Sequence, residues 1–522
     1  DPLWSRGLGD VYKRQDVGGT NTDAVVMDND HLISSFKAPT SSDISQGVSE
    51  ALNGALASSG IPASEIGLVA LGTTHFTNAV IQRRHLAPTA AIRLGLPATQ
   101  SLPPMVDWPD DLSCALGNHV YFAHGGHEFD GRVISNLDKS ELGRIAEDIR
   151  KKNIRALAIT SVFSPVNSNF EREAGDILSK LIPDIHITLS SDLGRIGLLE
   201  RENAAILNAC LCQLSGNVIR AFRDALENAG VAGRFFLTQN DGTLMDSHFA
   251  ERFPILTFAS GPTNSMRGAG FLSGIRDGIV IDVGGTTTDI GTLYKGFPRQ
   301  ASSFVDIGGV RTNFRMPDVF SIGLGGGSLV VDKGDQILVG PQSVGYKLLK
   351  DSLIFGGNTL TVSDIIVASG RSHFGDISKV TGLSEKLVSS ALIKISDMVE
   401  NAVERSRISP DPHPIIVVGG GSIIIGDKIS DLRVIKPEYF ACANAVGAAI
   451  AQISGEIDRI YTLDKSSREE AINDAKSKAK NAAIASGANP ESVTIVDVED
   501  VPLSYLPGNA TRVRVKAVGE LN

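Results

Sequence analysis

The sequence predicts an α/β protein with two α/β domains around a cleft and a small C-terminal α+β domain. Three observations carry this. A turn of unusual composition occurs twice, as Asp16-Val17-Gly18-Gly19-Thr20-Asn21-Thr22-Asp23 and as Asp282-Val283-Gly284-Gly285-Thr286-Thr287-Thr288-Asp289. The copies are too far apart for a solenoid repeat and indicate two similar halves. Between residues 137 and 189 the apolar spacing alternates regularly between helix and strand. A length of 522 residues accommodates two to four domains at about 150 residues each.

Composition narrows the class. With 42% hydrophobic residues, 21% charged residues and 54 glycines, the chain reads as a soluble globular protein with many tight turns. A formal charge of −10 and the lack of a basic cluster argue against a nucleic-acid partner. The longest apolar runs, Ile415 to Val418 and Ile423 to Ile425, fall short of the roughly 18–20 residues of a membrane span, so no membrane segment is expected. Four cysteines (Cys114, Cys210, Cys212, Cys442) form no CxxC pair and are too few for a disulfide framework, which predicts a reducing, cytoplasmic location.

From the N-terminus onward, residues 1–15 do not fit the chain beyond them. The turn at Asp16 should be preceded by a buried strand, as Gly-Ile-Val-Ile-Asp at 278–282 precedes the second copy, yet residues 10–15 are mostly polar and lack the apolar core of a signal peptide. They are expected to be a non-native leader whose authentic strand has been lost. Mass spectrometry of the native N-terminus tests this. Residues 16–197 are expected to form the N-terminal α/β domain: a hairpin strand at Ala24 to Asp28, a helix at Ile44 to Ser58, a strand from Gly67, and a helix through Ala79, Val80 and Ile81 capped by Thr77. Then come helix (Leu142, Ile145, Ala146, Ile149), strand (Ile154 to Phe163), helix (Phe170 to Leu181) and strand (Ile185 to Leu189). Residues 198–456 are expected to form the second domain, entered by a bridging helical region from Leu198 to Ala229 with Gly230 as its stop signal. Residues 457–522 read as a small separate unit with a Ser467-capped helix.

The paired turns have the chemistry of a phosphate site. Each places an Asp at the end of an apolar run, then two glycines free to take positive φ, then hydroxyls and a second Asp. A nucleoside triphosphate with its metal needs backbone N–H groups and hydroxyls around the phosphates, plus carboxylates to hold Mg²⁺ directly or through water. Asp16 and Asp282 suit the metal, while Gly18, Gly19, Thr20, Gly284, Gly285, Thr286 and Thr287 suit the phosphates. Two glycine hairpin turns with Asx hydrogen bonds are the plainer alternative. Gly419, Gly420, Gly421 and Ser422, at the end of a strand, offer close backbone approach to a base and ribose.

Other residues stay open between two readings. Asp23 and Asp289 either orient a water or nucleophile, as catalytic residues, or cap the hairpins. Thr73, Thr74 and His75 with Asn78 either face a substrate or cap a helix. His124 and His127, in a group with His119, Glu128 and Asp130, have metal-compatible spacing or sit in a solvated loop. Arg201-Glu202-Asn203 lines the cleft or is surface charge. Cys210 and Cys212 read as core packing.

The order DVGGTNTD, IDVGGTTTDIG and VVGGGS resembles the phosphate and adenosine motifs of the superfamily containing actin, the heat-shock ATPases and the sugar kinases. More specifically, Gly72-Thr73-Thr74 with Thr77-Asn78-Ala79, Ser260-Gly261-Pro262, the Ser321 to Ser328 stretch and the Leu506 to Arg512 stretch resemble the hydantoinase/oxoprolinase family, its A-subunit-like members. The likeness runs from Asp16 to Leu521, with His75-Phe76 standing where Val-Ala is usual. The resemblance implies an actin-like ATPase fold, ATP and Mg²⁺ as cofactors, and ring opening of a cyclic amide by phosphorylation of its carbonyl oxygen. Carboxylation of a ketone by relatives using the same device, a small-molecule kinase and a non-catalytic nucleotide switch are the alternatives. A second subunit and assembly into an oligomer are in keeping with it.

Overall fold

The computed structural model describes residues 21–39, 44–194, 196–301, 304–334, 336–407, 413–464, 467–503 and 509–521. The expected leader at 1–15 and the expected site residues Asp16, Gly18, Gly19 and Thr20 lie outside the described residues.

The second half is organised around the strand Gly278–Val283. It pairs antiparallel with Thr288–Tyr294 and parallel with Ile415–Val418, whose other neighbour is Leu432–Ile435. The apolar run has a reason: this strand is covered on both faces, as parallel-paired strands usually are. Ile279, Ile281, Ile415 and Val417 point to one core with Ala391, Ile395, Val399, Ala402 and Val403 of helix Glu385–Ser406. Val280, Ile416 and Val418 point to the other, with Met266 and Ala269 of helix Ser260–Ser273 and Ala443 of helix Ala443–Ala449.

The first half holds a six-stranded sheet in the order Thr494–Pro502, Thr511–Gly519, Gln452–Tyr461, Thr243–Asp246, Arg234–Thr238, Leu68–Leu71. The expected boundary between residues 456 and 457 lies inside Gln452–Tyr461, which pairs parallel with Thr243–Asp246. The C-terminal strands thus extend this sheet, because Ile453, Val513, Val515 and Ala517 share one core with Phe236, Leu244 and the alanine stripe of helix Arg468–Ala485. Ser467 caps that helix as expected, accepting from the Glu470 amide. The hairpin Asn21–Asp28/His31–Pro39 forms its own two-stranded sheet among the described residues.

The alternating region builds a four-stranded parallel sheet, His119–His124, Thr89–Leu96, Ala156–Ser161, His186–Leu189, with helices Lys139–Lys151 and Asn169–Leu181. The bridging region is two helices, Leu198–Cys210 and Cys212–Asn228, bent by 52° at Leu211, whose N–H closes a tight turn onto Asn208 (3.2 Å). Among the described residues no single helix is long and apolar enough to cross a membrane.

Of the Arg201-Glu202-Asn203 triplet, Arg201 and Glu202 are buried and Asn203 is half-buried. Glu202 is buried in an ion pair with Arg93, and Arg201 donates to Ser190 Oγ (2.9 Å) and the Ser161 carbonyl (2.7 Å). Asn203 accepts from Trp108 Nε1 (2.8 Å). Cys210 and Cys212 are core residues, and burial pushes the Cys212 thiol up to about 11.

Candidate active site

The C-terminal ends of Gly278–Val283 and Ile415–Val418 meet where ligands gather in open α/β sheets. The turn Gly284 to Thr287 follows the first strand, and neighbouring glycine loops hold it by its carbonyls. Gly421 N–H donates to the Val283 carbonyl (2.8 Å), Gly326 N–H to Gly284 (3.2 Å) and Gly327 N–H to Gly285 (2.6 Å), while Gly284 N–H closes onto Thr287 (2.8 Å). None of the described backbone acceptors takes the amides of Gly285, Thr286 or Thr287. Successive N–H donors of a tight turn can meet an anion, and of these three residues Thr287 lines the neighbouring cavity. Thr288 turns its hydroxyl inward, to the Leu324 carbonyl (2.7 Å).

Asp282 is half-buried at the strand end. Its carboxyl is pushed up to about 6, first by burial, then by the like charges of Asp289 and Asp23; a hydrogen bond from Ser265 and the charge of Lys37 oppose the shift. Asp23 is paired with Lys37 (2.8 Å), and Asp289 accepts from the Ser321 hydroxyl. Gly419 lies against Asp282 with φ +88°, and a side chain there would overlap Asp282 Oδ1 and the Val283 carbonyl. Only glycine allows this approach.

A cavity of about 1510 Å³ opens at this point, lined at its polar end by Asp23, Asp282, Thr287, Asp289, Thr73, Thr74, His75, Asn78 and Asn444. The structure therefore brings the expected substrate residues to the expected phosphate turn. Thr73 is tied to Ser260 through its N–H (3.4 Å) and carbonyl (3.3 Å). Its hydroxyl contacts His75 Nδ1 (2.7 Å) and takes the His75 N–H (3.3 Å), and Asn78 donates to Thr74 Oγ1 (3.4 Å). Burial lowers the His75 pKa and keeps the ring neutral. The helix here is His75–Gln82 with Thr74 in the capping position, and Thr77, expected as the cap, instead donates to the Phe258 carbonyl (2.9 Å).

Gly419, Gly420, Gly421 and Ser422 do not line this cavity. Gly421 packs behind the turn against Gly284, and Gly420 is exposed. Ser422 Oγ is buried without a hydrogen-bond partner among the described residues. His124 and His127 are not brought together as a metal site. His124 Nδ1 contacts Glu141 (2.9 Å), His127 is buried and stacked on Phe170 at 4.6 Å, and no group of three or more His, Cys, Asp or Glu able to hold a metal occurs among the described residues. Sequence reasoning missed Asn444, Ser265 and Lys37. Their only signal is a polar residue inside a small-residue helix, for the first two, and a lysine beside the first turn, for the third.

Over residues 15–182 the chain matches the hydantoinase/oxoprolinase N-terminal region, and over 201–373 the hydantoinase/oxoprolinase domain. The chain belongs to the hydantoinase/oxoprolinase family. It is 27% identical to the caprolactamase alpha subunit of Pseudomonas jessenii over 83% of this chain, and 26% identical to the acetophenone carboxylase gamma subunit of Aromatoleum aromaticum over 68% of it. It spans 65% and 52% of those relatives' own lengths. The ATP-dependent caprolactamase structure from Pseudomonas jessenii superposes with a TM-score of 0.78 at 18% identity, covering 97% of this chain and 87% of that one. The nucleotide-free acetone carboxylase structure gives 0.69 at 16%, covering 96% and 86%. The fold of this family member is the actin-like ATPase fold.

Proposed function

We propose that the chain binds ATP with Mg²⁺ at the polar end of the cavity and drives ring opening of a cyclic amide, a hydantoin or an oxoproline-like lactam. The carrying observation is that Thr287 of the second turn and the carboxylates of Asp282 and Asp289 line one cavity with Thr73, His75 and Asn78. The residues fit the group. Thr287 lines the cavity, and a carboxyl raised first by burial and then by its carboxylate neighbours is relieved by a cation. Because no three metal-ligating groups cluster among the described residues, Asp282, Asp289 and Asp23 would hold Mg²⁺ through water, with Asp16 as a further candidate.

When bound, ATP would supply a phosphoryl group to the amide oxygen, making the carbonyl carbon electrophilic so that water can add there and the ring nitrogen can leave as the amine, the phosphate being released by a second water. This chain's work is positioning and charge neutralisation. The turn amides take phosphate oxygens, and Asn78 and Asn444 offer amide groups to a lactam. His75, held neutral with Nδ1 on Thr73, keeps its other ring nitrogen for a proton. Asp23 or Asp289 orients the attacking water. Similarity to a caprolactamase supports a cyclic amide, while similarity to an acetophenone carboxylase subunit and an acetone carboxylase supports a second reading, the ATP-using subunit of a ketone carboxylase. The caprolactamase and acetophenone carboxylase relatives are named as subunits, which supports a requirement for a second subunit.

The test is ATP turnover measured with hydantoins, oxoproline-like lactams and ketones with bicarbonate. Stimulation by a cyclic amide, lost in Asp282→Asn, is expected. Stimulation only by ketone and bicarbonate selects the carboxylase, a stable phosphorylated product a kinase, and slow substrate-independent turnover a nucleotide switch. Intact nucleotide binding and turnover in Asp282→Asn would falsify the site.

A further inference from the structure

The turn before helix His75–Gln82 holds one ring from two sides. Thr73 is buried and anchored across the molecule: its N–H donates to Ser260 Oγ (3.4 Å), and the Ser260 hydroxyl donates to its carbonyl (3.3 Å). Ser260 is itself fully buried, at the start of helix Ser260–Ser273. Thr73 Oγ1 in turn accepts the His75 N–H (3.3 Å) and lies 2.7 Å from His75 Nδ1. The His75 ring stands edge-on to Phe222, with centroids 6.3 Å apart and an interplanar angle of 71°.

One hydroxyl carries one proton. If Nδ1–H donated to Thr73, the hydroxyl would accept from two N–H groups, and its own proton, in a residue 5% exposed, would have no acceptor among the described residues. Burying such an unpaired donor is costly. If the hydroxyl donates to Nδ1, every proton is used: Oγ1 takes the backbone N–H and gives its own to the ring. Burial disfavours the charged ring, so the ring's one proton then sits on Nε2. No described residue bonds to Nε2, and His75 lines the cavity with Thr74, Asn78 and Asn444.

We propose that His75 is a neutral Nε2–H donor for the carbonyl oxygen of the substrate, and that Thr73 is the positioning residue that fixes this tautomer. Nε2 already holds its proton, so it gives a hydrogen bond rather than taking one. It suits a neutral acceptor, the oxygen of a cyclic amide or of a ketone. That oxygen has two lone pairs; one takes Nε2–H and aligns the substrate, and the other stays open for reaction. The role rests on the reading of the cavity as the site of a carbonyl substrate, whereas the tautomer rests only on Thr73, His75 and Ser260.

Magnetic resonance of the whole chain carrying nitrogen-15 histidine tests both parts, with the His75 signals assigned by their loss in His75→Phe. A pyridine-like Nδ1 and a protonated Nε2 are expected, giving way to a mixture of tautomers in Thr73→Val and returning in Thr73→Ser. The neutral probes pyrrolidinone and cyclopentanone are then titrated without nucleotide. A saturable shift of the Nε2–H signal by either is expected, with binding about three- to tenfold weaker in Thr73→Val; the tighter probe shows whether the acceptor is an amide or a ketone. If Thr73→Val does not fold, the tautomer and the shift in the unchanged chain decide. A protonated Nδ1 overturns the proposal, as does an Nε2–H signal that neither probe moves. Because no nucleotide is present, failure here leaves the ATP reading of the second turn standing, and failure of nucleotide binding leaves this result standing.

Discussion

Among the described residues the hairpins that follow the two turns differ in their partners: Thr288–Tyr294 pairs with Gly278–Val283, whereas Asn21–Asp28 pairs only with His31–Pro39. Around Asp282 the strand Gly278–Val283 lies between Thr288–Tyr294 and the fully buried Ile415–Val418, and the following turn is fixed by two glycine loops. Around Asp23, the strands Asn21–Asp28 and Leu68–Leu71 line the cavity without pairing with each other among the described residues, and Asp23 is paired with Lys37. A phosphate turn depends on the strand that aims it as much as on its own residues. The second turn is therefore the one on which the nucleotide reading rests.

The largest contrast should appear in matched truncations. Ile416→Ala, in a strand with both neighbours, should cost about 3–4 kcal/mol, whereas Leu71→Ala, beside the cavity, should cost less than about 2 kcal/mol; denaturant titration measures both, and equal losses would erase the distinction. Next is Gly419→Val, which forces a β-branched side chain into positive φ against Asp282. A loss of about 2–4 kcal/mol is expected, with weakened nucleotide binding.

A third prediction concerns pH. The Asp282 carboxyl is held at about 6 in the folded state against 3.8 for the ordinary group, so the folded state keeps a proton that the unfolded chain has released. Its contribution to stability is complete below pH 4 and is lost as pH rises through 6. The nucleotide-free chain should lose at most about 3 kcal/mol over that window. Asp282→Asn should flatten this stretch of the profile and raise melting at pH 7 while abolishing nucleotide binding. The smallest effect is expected at the surface. Glu141→Ala, which frees His124, should cost under about 1 kcal/mol, and added Zn²⁺ should not shift melting of the unchanged chain.

Much of the fold was legible because local patterns and burial agree. The Gly278–Val283 run, the helical stripe at Leu142, Ile145, Ala146 and Ile149, and the Ser467 cap are all where their residues demand. What could not be read depends on partners distant in sequence. Glu202 looks like surface charge until Arg93 is brought to it by a neighbouring strand. The boundary near 456 failed because the pairing of Gln452–Tyr461 with Thr243–Asp246 is set by a shared core, not by local composition. Thr77 resembles a cap, yet its hydroxyl is used by Phe258 across the site. Asn444 has no local signal beyond being a polar residue inside a small-residue helix. The turn residues from Gly284 to Thr287 were legible; that Gly419 to Ser422 brace the turn from behind was not, since only the packed loops show it.

The most direct measurement is amide hydrogen exchange of the whole chain with and without Mg²⁺ and ATP. Gly285, Thr286 and Thr287 should exchange quickly alone and become protected when nucleotide is added. Exchange at Gly285 to Thr287 that nucleotide leaves unchanged would contradict the assignment of this turn as the phosphate site.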